Sequence, residues 1–269
     1  MMKLLDGKKL AAKLQQGLKR KTAPGSLEAI LIGDNPASVM YLRKKAEIAK
    51  DLGVLFHLHK FSKQSPAKKI TDKIEQLNAD KKVAGIIVQL PLPNKFNTEE
   101  IVNMVAVHKD VDGLTDKNIA TSEILPATAT GILKLLKHYR INTQGGKIVL
   151  VGFTRLLNIP LSIYFARQGN KVVVIQEGTK NMSELKTADI IITAVGKPKL
   201  IAGKHIKKSA VVIDAGISRI GKRVVGDVDS GSVSKKAAYL TPVPGGVGPM
   251  TVVSLFTNLF ESKKRASSK

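Results

Sequence analysis

Apolar runs of strand length alternate with segments of helical period along almost the whole chain, and this alternation predicts an α/β fold. Residues 3–21 carry apolar positions at helical spacing and predict an amphipathic helix. Residues 27–33 (LEAILIG) form a buried-strand pattern; the turn Asp34-Asn35-Pro36 follows and leads into a helix over 37–52. A strand is predicted over 56–61 and a helix over 66–79. Residues 83–90 (VAGIIVQL) are nearly all apolar, as a parallel strand covered on both faces requires. A helix near 98–107 then gives way to the loop HKDVDGLTDKN.

After that loop the pattern restarts. It predicts a helix over 130–139, a strand over 147–152 (KIVLVG), a helix over 157–169 and a strand over 171–175. A short helix near 182–187 and strands over 189–194 and 210–214 complete a doubly wound, Rossmann-like unit. The expected division is therefore a first α/β domain over 1–120 and a dinucleotide-binding type of domain over 121–248. A closing helix over 249–262 is expected to pack back on the first domain.

Composition narrows the classes. A chain of 269 residues with 43% hydrophobic content can bury two cores, so a disordered chain is excluded. With no cysteine there are no disulfides, thiolate metal sites or cysteine nucleophiles, which fits a reducing cytoplasm. The first 22 residues have lysines throughout and no continuous apolar stretch, unlike a secretory signal. No run approaches the roughly 20 apolar residues of a membrane helix. The formal charge of +23 raises a nucleic-acid-binding alternative. Yet only 8 of the 44 basic residues are Arg, the lysines are scattered, and aromatics are 4%. A solvated lysine surface explains this better than a nucleic-acid site. The five histidines have no matching ligand pattern, so no metal is expected; His57 and His59 alternate on a strand in structural roles.

Candidate chemistry starts at Tyr41 and Lys45, four apart on one helical face just after a strand's carboxyl end. A ring there can stack on a flat heterocycle while the amine moves a proton. The spacing alone equally fits a half-buried tyrosine beside a solvated lysine. Gln89, closing a strand in VQLPLP, can hold an amine without adding charge, or cap the strand end. Asp112, in KDVDG, can accept paired hydrogen bonds or form an Asx-turn. The segment TPVPGGVGPMT, over 241–251, makes a rigid, bare loop before a helix where backbone amides can approach a ligand.

In order, spacing and wording, YxxxK, VQLPLP, KDVDG and TPVPGGVGPMT together resemble the methylenetetrahydrofolate dehydrogenase/cyclohydrolase (FolD-type) family. PATATGILKLL, GKIVLVG, ADIIITAVGKP, VVIDAGI and VGDV extend the resemblance from about residue 3 to 260. It implies a bifunctional enzyme of folate one-carbon metabolism, a homodimer, that uses NADP or NAD and takes tetrahydrofolate derivatives, polyglutamylated ones included. It also implies that Lys45 is the catalytic lysine, Tyr41 stacks on the pterin and Gln89 orients Lys45. Asp112 would bind the pterin edge, with Pro244 and Gly245 lining the folate site. An amine is a poor base near neutral pH unless its surroundings favour the neutral form.

The cofactor half departs from the family's pattern. No GxGxxG occurs; the first turn is Gly152-Phe153-Thr154-Arg155-Leu156-Leu157-Asn158-Ile159-Pro160. Thr154 keeps a hydroxyl for a phosphate, and Arg155 can stand in for the arginine displaced by Phe153. Asn158 replaces a glycine. The next strand end carries Glu177, which would accept from a free ribose 2′-OH and repel a 2′-phosphate, favouring NAD over the family's usual NADP; Lys180 stands nearby. Ile217 and Thr251 complete the expected cofactor contacts. Ala127 takes the place of a family cysteine, with a small expected effect. These departures leave an alternative in which only the cyclohydrolase step survives.

Overall fold

The computed structural model describes residues 2–179, 181–221 and 223–266. They form two units: residues 13–127 with 252–269, and residues 1–12 with 128–251.

The first unit holds a three-stranded parallel sheet in the order β3-β2-β4, built from β2 (Ser26–Ile32), β3 (Phe56–Phe61) and β4 (Val83–Val88). Each strand is followed by a helix: α2 (Pro36–Asp51), α3 (Ala67–Ala79) and the short α4 (Thr98–Asn103). β2 is buried at every position, as a central strand must be. Ile30, Ile32, Ile70, Ile74, Ile86 and Val88 fill the core beside it. Full burial of each such side chain contributes about 1.5–3 kcal/mol. Short of the predicted end at 107, α4 stops at Asn103, and a further helix, α5 (Asp116–Thr121), forms where the pattern predicted a loop. Thr115 caps α5 by accepting from the Asn118 amide.

The second unit holds six parallel strands in the order β1-β11-β8-β7-β5-β6. They are β1 (Lys3–Leu4), β5 (Lys147–Val151), β6 (Lys171–Ile175), β7 (Ile190–Thr193), β8 (Val211–Asp214) and β11 (Tyr239–Leu240). A small antiparallel pair, β9 (Ser218–Ile220) and β10 (Arg223–Val225), stands apart. Helix α6 (Ala127–His138) precedes β5, α7 (Asn158–Arg167) joins β5 to β6, and α8 (Ser230–Val233) precedes β11. The predicted helix near 182–187 is a 3₁₀ turn over Ser183–Thr187.

One expectation is corrected at the amino end. Residues 3–21 are not a single helix: Lys3–Leu4 form β1, and α1 begins at Gly7 and ends at Lys19. Lys3 pairs with Tyr239 and Leu4 with Leu240, so a partner 236 residues along overrides the local helical spacing. The opening dozen residues therefore belong with the six-stranded unit, not with the first domain as the pattern suggested.

The closing helix α9 runs Val247–Ala266, longer than the predicted 249–262. Its Asn258 donates to the carbonyls of Val111 and Leu125, both at 3.0 Å, and Ser262 donates to Ala84 O at 3.2 Å. The helix thus packs back on the first unit, as expected. Gly85 on β4 is required there: a Cβ would lie 2.7 Å from Leu259 and from Val111. Among the described residues no helix is long and apolar enough to cross a membrane.

Candidate active site

Asn35 starts α2 by accepting from the amides of Ala37 and Ser38 at 3.0 and 3.2 Å. That fixes which residues face inward: Ser38, Leu42, Lys45 and Ala49 form the buried stripe of α2. Lys45 is 8% exposed, and an ammonium so buried needs partners. Its Nζ donates to Gln89 Oε1 at 3.2 Å and lies 3.6 Å from Asp112 Oδ2. Tyr41, one turn earlier, is 38% exposed, leaving ring surface for a ligand.

Each partner is itself held. Just beyond β4, Gln89 donates its amide N–H to Ile30 O at 2.9 Å and its side-chain Nε2 to Leu90 O at 2.8 Å. With Nε2 committed, Oε1 is the atom left for Lys45. The Asp112 loop is tied from three sides. Lys109, buried, donates to the carbonyls of Leu77, Asn78 and Asp80 at 2.9, 2.7 and 2.7 Å, closing the end of α3; burial lowers its amine from the ordinary lysine value. Asp110 accepts from Thr115 N and Asn118 Nδ2 at 2.8 and 2.9 Å; burial nonetheless pushes its carboxyl up. Asn258 secures Val111 from α9. Lys45, Gln89 and Asp112 therefore meet from three segments, as the sequence predicted, while the roles of Lys109 and Asp110 in KDVDG escaped it.

Pro244 and Gly245 lie in the other unit. Their loop docks on the start of α1, where the Lys8 amide donates to Gly245 O at 2.8 Å.

Gly152, Thr154, Arg155, Glu177 and Ile217 follow the carboxyl ends of strands of the six-stranded sheet. The chain runs from β5 to β6 on one side and then to β7 on the other, so the switch point lies between β5 and β7, where open α/β sheets take their ligand. Gly152 leaves β5 at φ +105°, and a Cβ there would sit 3.1 Å from Ala194 O on the loop after β7. The first turn of α7 has no side-chain cap, which suits an anion. Phe153, Leu156 and Ile217 are exposed apolar residues on loops at this same end. These features fit a dinucleotide. Arg155 is half-buried and Thr251, on α9, donates to Thr128 Oγ1 at 3.3 Å.

Two details revise the expected contacts. Asn158 is fully buried; its Nδ2 donates to Val151 O at 3.2 Å, which turns Oδ1 to receive the Thr154 hydroxyl at 3.0 Å. The Thr154 proton is thus directed inward instead of towards a phosphate. Glu177, exposed after β6, pairs at 3.0 Å with Lys197 from the loop after β7. Lys180 lies outside the described residues.

Apart from these sites, Glu28 on β2 is buried and receives Ser26 Oγ at 2.6 Å, with His57 Nδ1 and His59 Nε2 of β3 at 2.8 and 2.7 Å. Burial opposes its ionisation, but these hydrogen bonds prevail and hold its carboxyl below the ordinary value. Among the described residues no three His, Asp or Glu are grouped to hold a metal ion. An open cavity of about 660 Å³ at the amino ends of β2 and β4, lined by Glu28, His57, Lys73 and Lys82, borders none of the candidate residues.

Residues 5–112 match the tetrahydrofolate dehydrogenase/cyclohydrolase catalytic domain, and 126–267 match its NAD(P)-binding domain. A bifunctional protein FolD from a Sulfurihydrogenibium species is 42% identical, over 98% of both chains. The crystal structure of the bifunctional FolD dehydrogenase/cyclohydrolase from Campylobacter jejuni superposes with a TM-score of 0.95 at 37% identity, over 99% of this chain and 100% of that one. A Trypanosoma brucei FolD complexed with NADP and an inhibitor gives 0.91 at 28% identity, over 100% of this chain and 99% of that one. With a lysine seated between amide and carboxylate on one sheet and a doubly wound crevice on the other, this chain belongs to the tetrahydrofolate dehydrogenase/cyclohydrolase family.

Proposed function

We propose that the chain oxidises methylenetetrahydrofolate to methenyltetrahydrofolate with NAD(P) and hydrolyses the methenyl product to formyltetrahydrofolate, with Lys45 as the proton-transfer group. The observation that carries this is the Lys45 amine held between Gln89 and Asp112, beside the exposed face of Tyr41.

Tyr41 stacks on the pterin, and Asp112 takes its amino edge. In the first step a hydride leaves the methylene carbon, which becomes the methenyl cation; the dinucleotide supplies the hydride acceptor. In the second, water adds to the cationic carbon and gives up a proton. The ring C–N bond then breaks as the hydroxyl loses its own proton and becomes the formyl carbonyl, and the released nitrogen takes a proton. Lys45 Nζ serves these transfers, and Gln89 keeps it in place. Hydrolysis alone, the alternative that Phe153, Asn158 and Glu177 had suggested, has less support because residues 126–267 match the NAD(P)-binding domain.

NAD is the proposed cofactor. The Glu177 carboxylate stands where a ribose 2′-OH would donate, and the Lys197 pair keeps it at that strand end. Assayed side by side, NAD should exceed NADP in kcat/KM by about tenfold, and Glu177→Gln should narrow the ratio; the gap equals a preference of roughly 1.4 kcal/mol. A preference for NADP in the unaltered protein would reverse the assignment.

A cytoplasmic homodimer is part of the same reading, supported by the family. Sedimentation should give about twice the chain mass of 29.0 kDa; a monomer at micromolar concentration contradicts it. The positive charge of +23 favours polyglutamylated folates, whose affinity at low salt should climb with tail length. Flat affinity across tail lengths would discount this.

A further inference from the structure

Asp227 is fully buried in the VGDV segment at the end of β10. Its Oδ2 accepts from the Thr193 hydroxyl and the Val195 amide, both at 2.7 Å. Its Oδ1 accepts from the amides of Gly196 and Lys197, both at 2.9 Å. Three consecutive backbone amides thus close on one carboxylate, the arrangement that elsewhere cradles a phosphate. Here the protein's own anion fills the nest.

The loop so held, residues 194–197, leaves the carboxyl end of β7 at the switch point, facing Gly152. A second carboxylate braces the first. Asp214, closing β8, accepts from the amides of Gly216, Asp227 and Val228 at 3.0, 3.0 and 2.9 Å. Burial, with the nearby Asp227 charge, pushes its carboxyl up to about 6. The backbone is pressed onto both groups. A Cβ on Gly216 would lie 2.1 Å from Asp227 Oδ1, and one on Gly226 would lie 2.0 Å from Asp214 Oδ2.

We propose that Asp227 is a positioning residue for the dinucleotide, fixing the 194–197 loop through its three amides and the Thr193 hydroxyl. This rests on the reading of the β5–β7 crevice as the NAD(P) site. Because the amides of Val195, Gly196 and Lys197 are already used, the pyrophosphate must be met by the loop after β5, from Gly152 to Asn158. The loop after β7 then supplies shape and the Lys197 charge beside Glu177.

The test uses the full chain carrying Asp227→Asn or Thr193→Val. An asparagine presents an NH₂ group to the amides it must receive, whereas Thr193→Val removes only the hydroxyl donor. Two rates are read: dinucleotide reduction against dinucleotide concentration, and methenyl hydrolysis with no dinucleotide present. Asp227→Asn should raise the dinucleotide KM about tenfold, and Thr193→Val about threefold, with hydrolysis within twofold of the unaltered chain in both. An unchanged KM overturns the proposal, as does an equal fall in both rates, which would mark a merely structural carboxylate. If Asp227→Asn does not fold, the Thr193→Val pair of rates decides by the same criteria. Should the unaltered chain reduce neither NAD nor NADP, the dinucleotide reading fails first, before any variant is compared.

Discussion

Replacing Lys45 by Met is expected to lower methenyltetrahydrofolate hydrolysis by at least about 100-fold, the lower range for loss of a positioned acid-base group. Methionine keeps the length and apolar stem of the lysine, so the buried stripe of Ser38, Leu42 and Ala49 stays filled. Only the nitrogen goes, along with its bond to Gln89 and its charge beside Asp112. Hydride transfer needs no amine, so the variant should still reduce the dinucleotide and accumulate the methenyl product, visible as its absorbance. Hydrolysis within threefold of the unaltered chain would remove Lys45 from the mechanism. Loss of both activities with an intact fold would assign it to folate binding instead.

The second large effect is expected near the amino end, at Gly7. A Cβ there would stand 1.8 Å from the carbonyl oxygen of Gly246, a backbone atom. The loop is itself tightly folded, since a Cβ added at Gly246 would lie 2.6 Å from Pro242 O. Either α1 or the Pro244–Gly246 loop must give way, breaking the bond from the Lys8 amide to Gly245 O. Gly7→Ala should therefore cost about 3 kcal/mol in denaturant unfolding, the upper end for overpacking. Unfolding that matches the unaltered chain would mean that the loop is looser than its contacts imply.

How much of this was legible in the sequence depends on the range over which each feature is decided. α2, β3 and β6 follow from spacing and apolar runs within a few residues, and the predicted bounds lie within one residue of the observed ones. β1 and β11 are two residues long and have no pattern of their own; β1 exists because β11 supplies its hydrogen bonds, and β11 because β8 and β1 flank it. The β9–β10 pair was missed for a similar reason, being three residues a side. α5 hid in a polar loop whose only helical signal was the Thr115 cap.

The site was legible as motifs and not as geometry. Nothing local shows that Gln89 meets Lys45 across 44 positions, and spacing alone left Tyr41 and Lys45 ambiguous. Family wording supplied what spacing lacked. It also steered attention to ligand contacts and away from braces: Lys109, Asp110, Asp214 and Asp227 all sit in recognised strings, yet each serves backbone atoms. Asn158 was noted as a missing glycine, and its bond to Thr154 could not be foreseen from that.

The pairing of Lys3 with Tyr239 also orders events on the ribosome. Met2–Leu5 emerge well before their strand partner, which is made 236 residues later. The three-stranded sheet can assemble once Val88 has emerged, although Asn258 and Ser262 reach it only later. The six-stranded sheet keeps an open edge at β8 until translation passes Leu240. Neither half can be expressed as a continuous fragment without losing a piece of itself, so truncated genes should yield aggregation-prone products with unpaired strand edges.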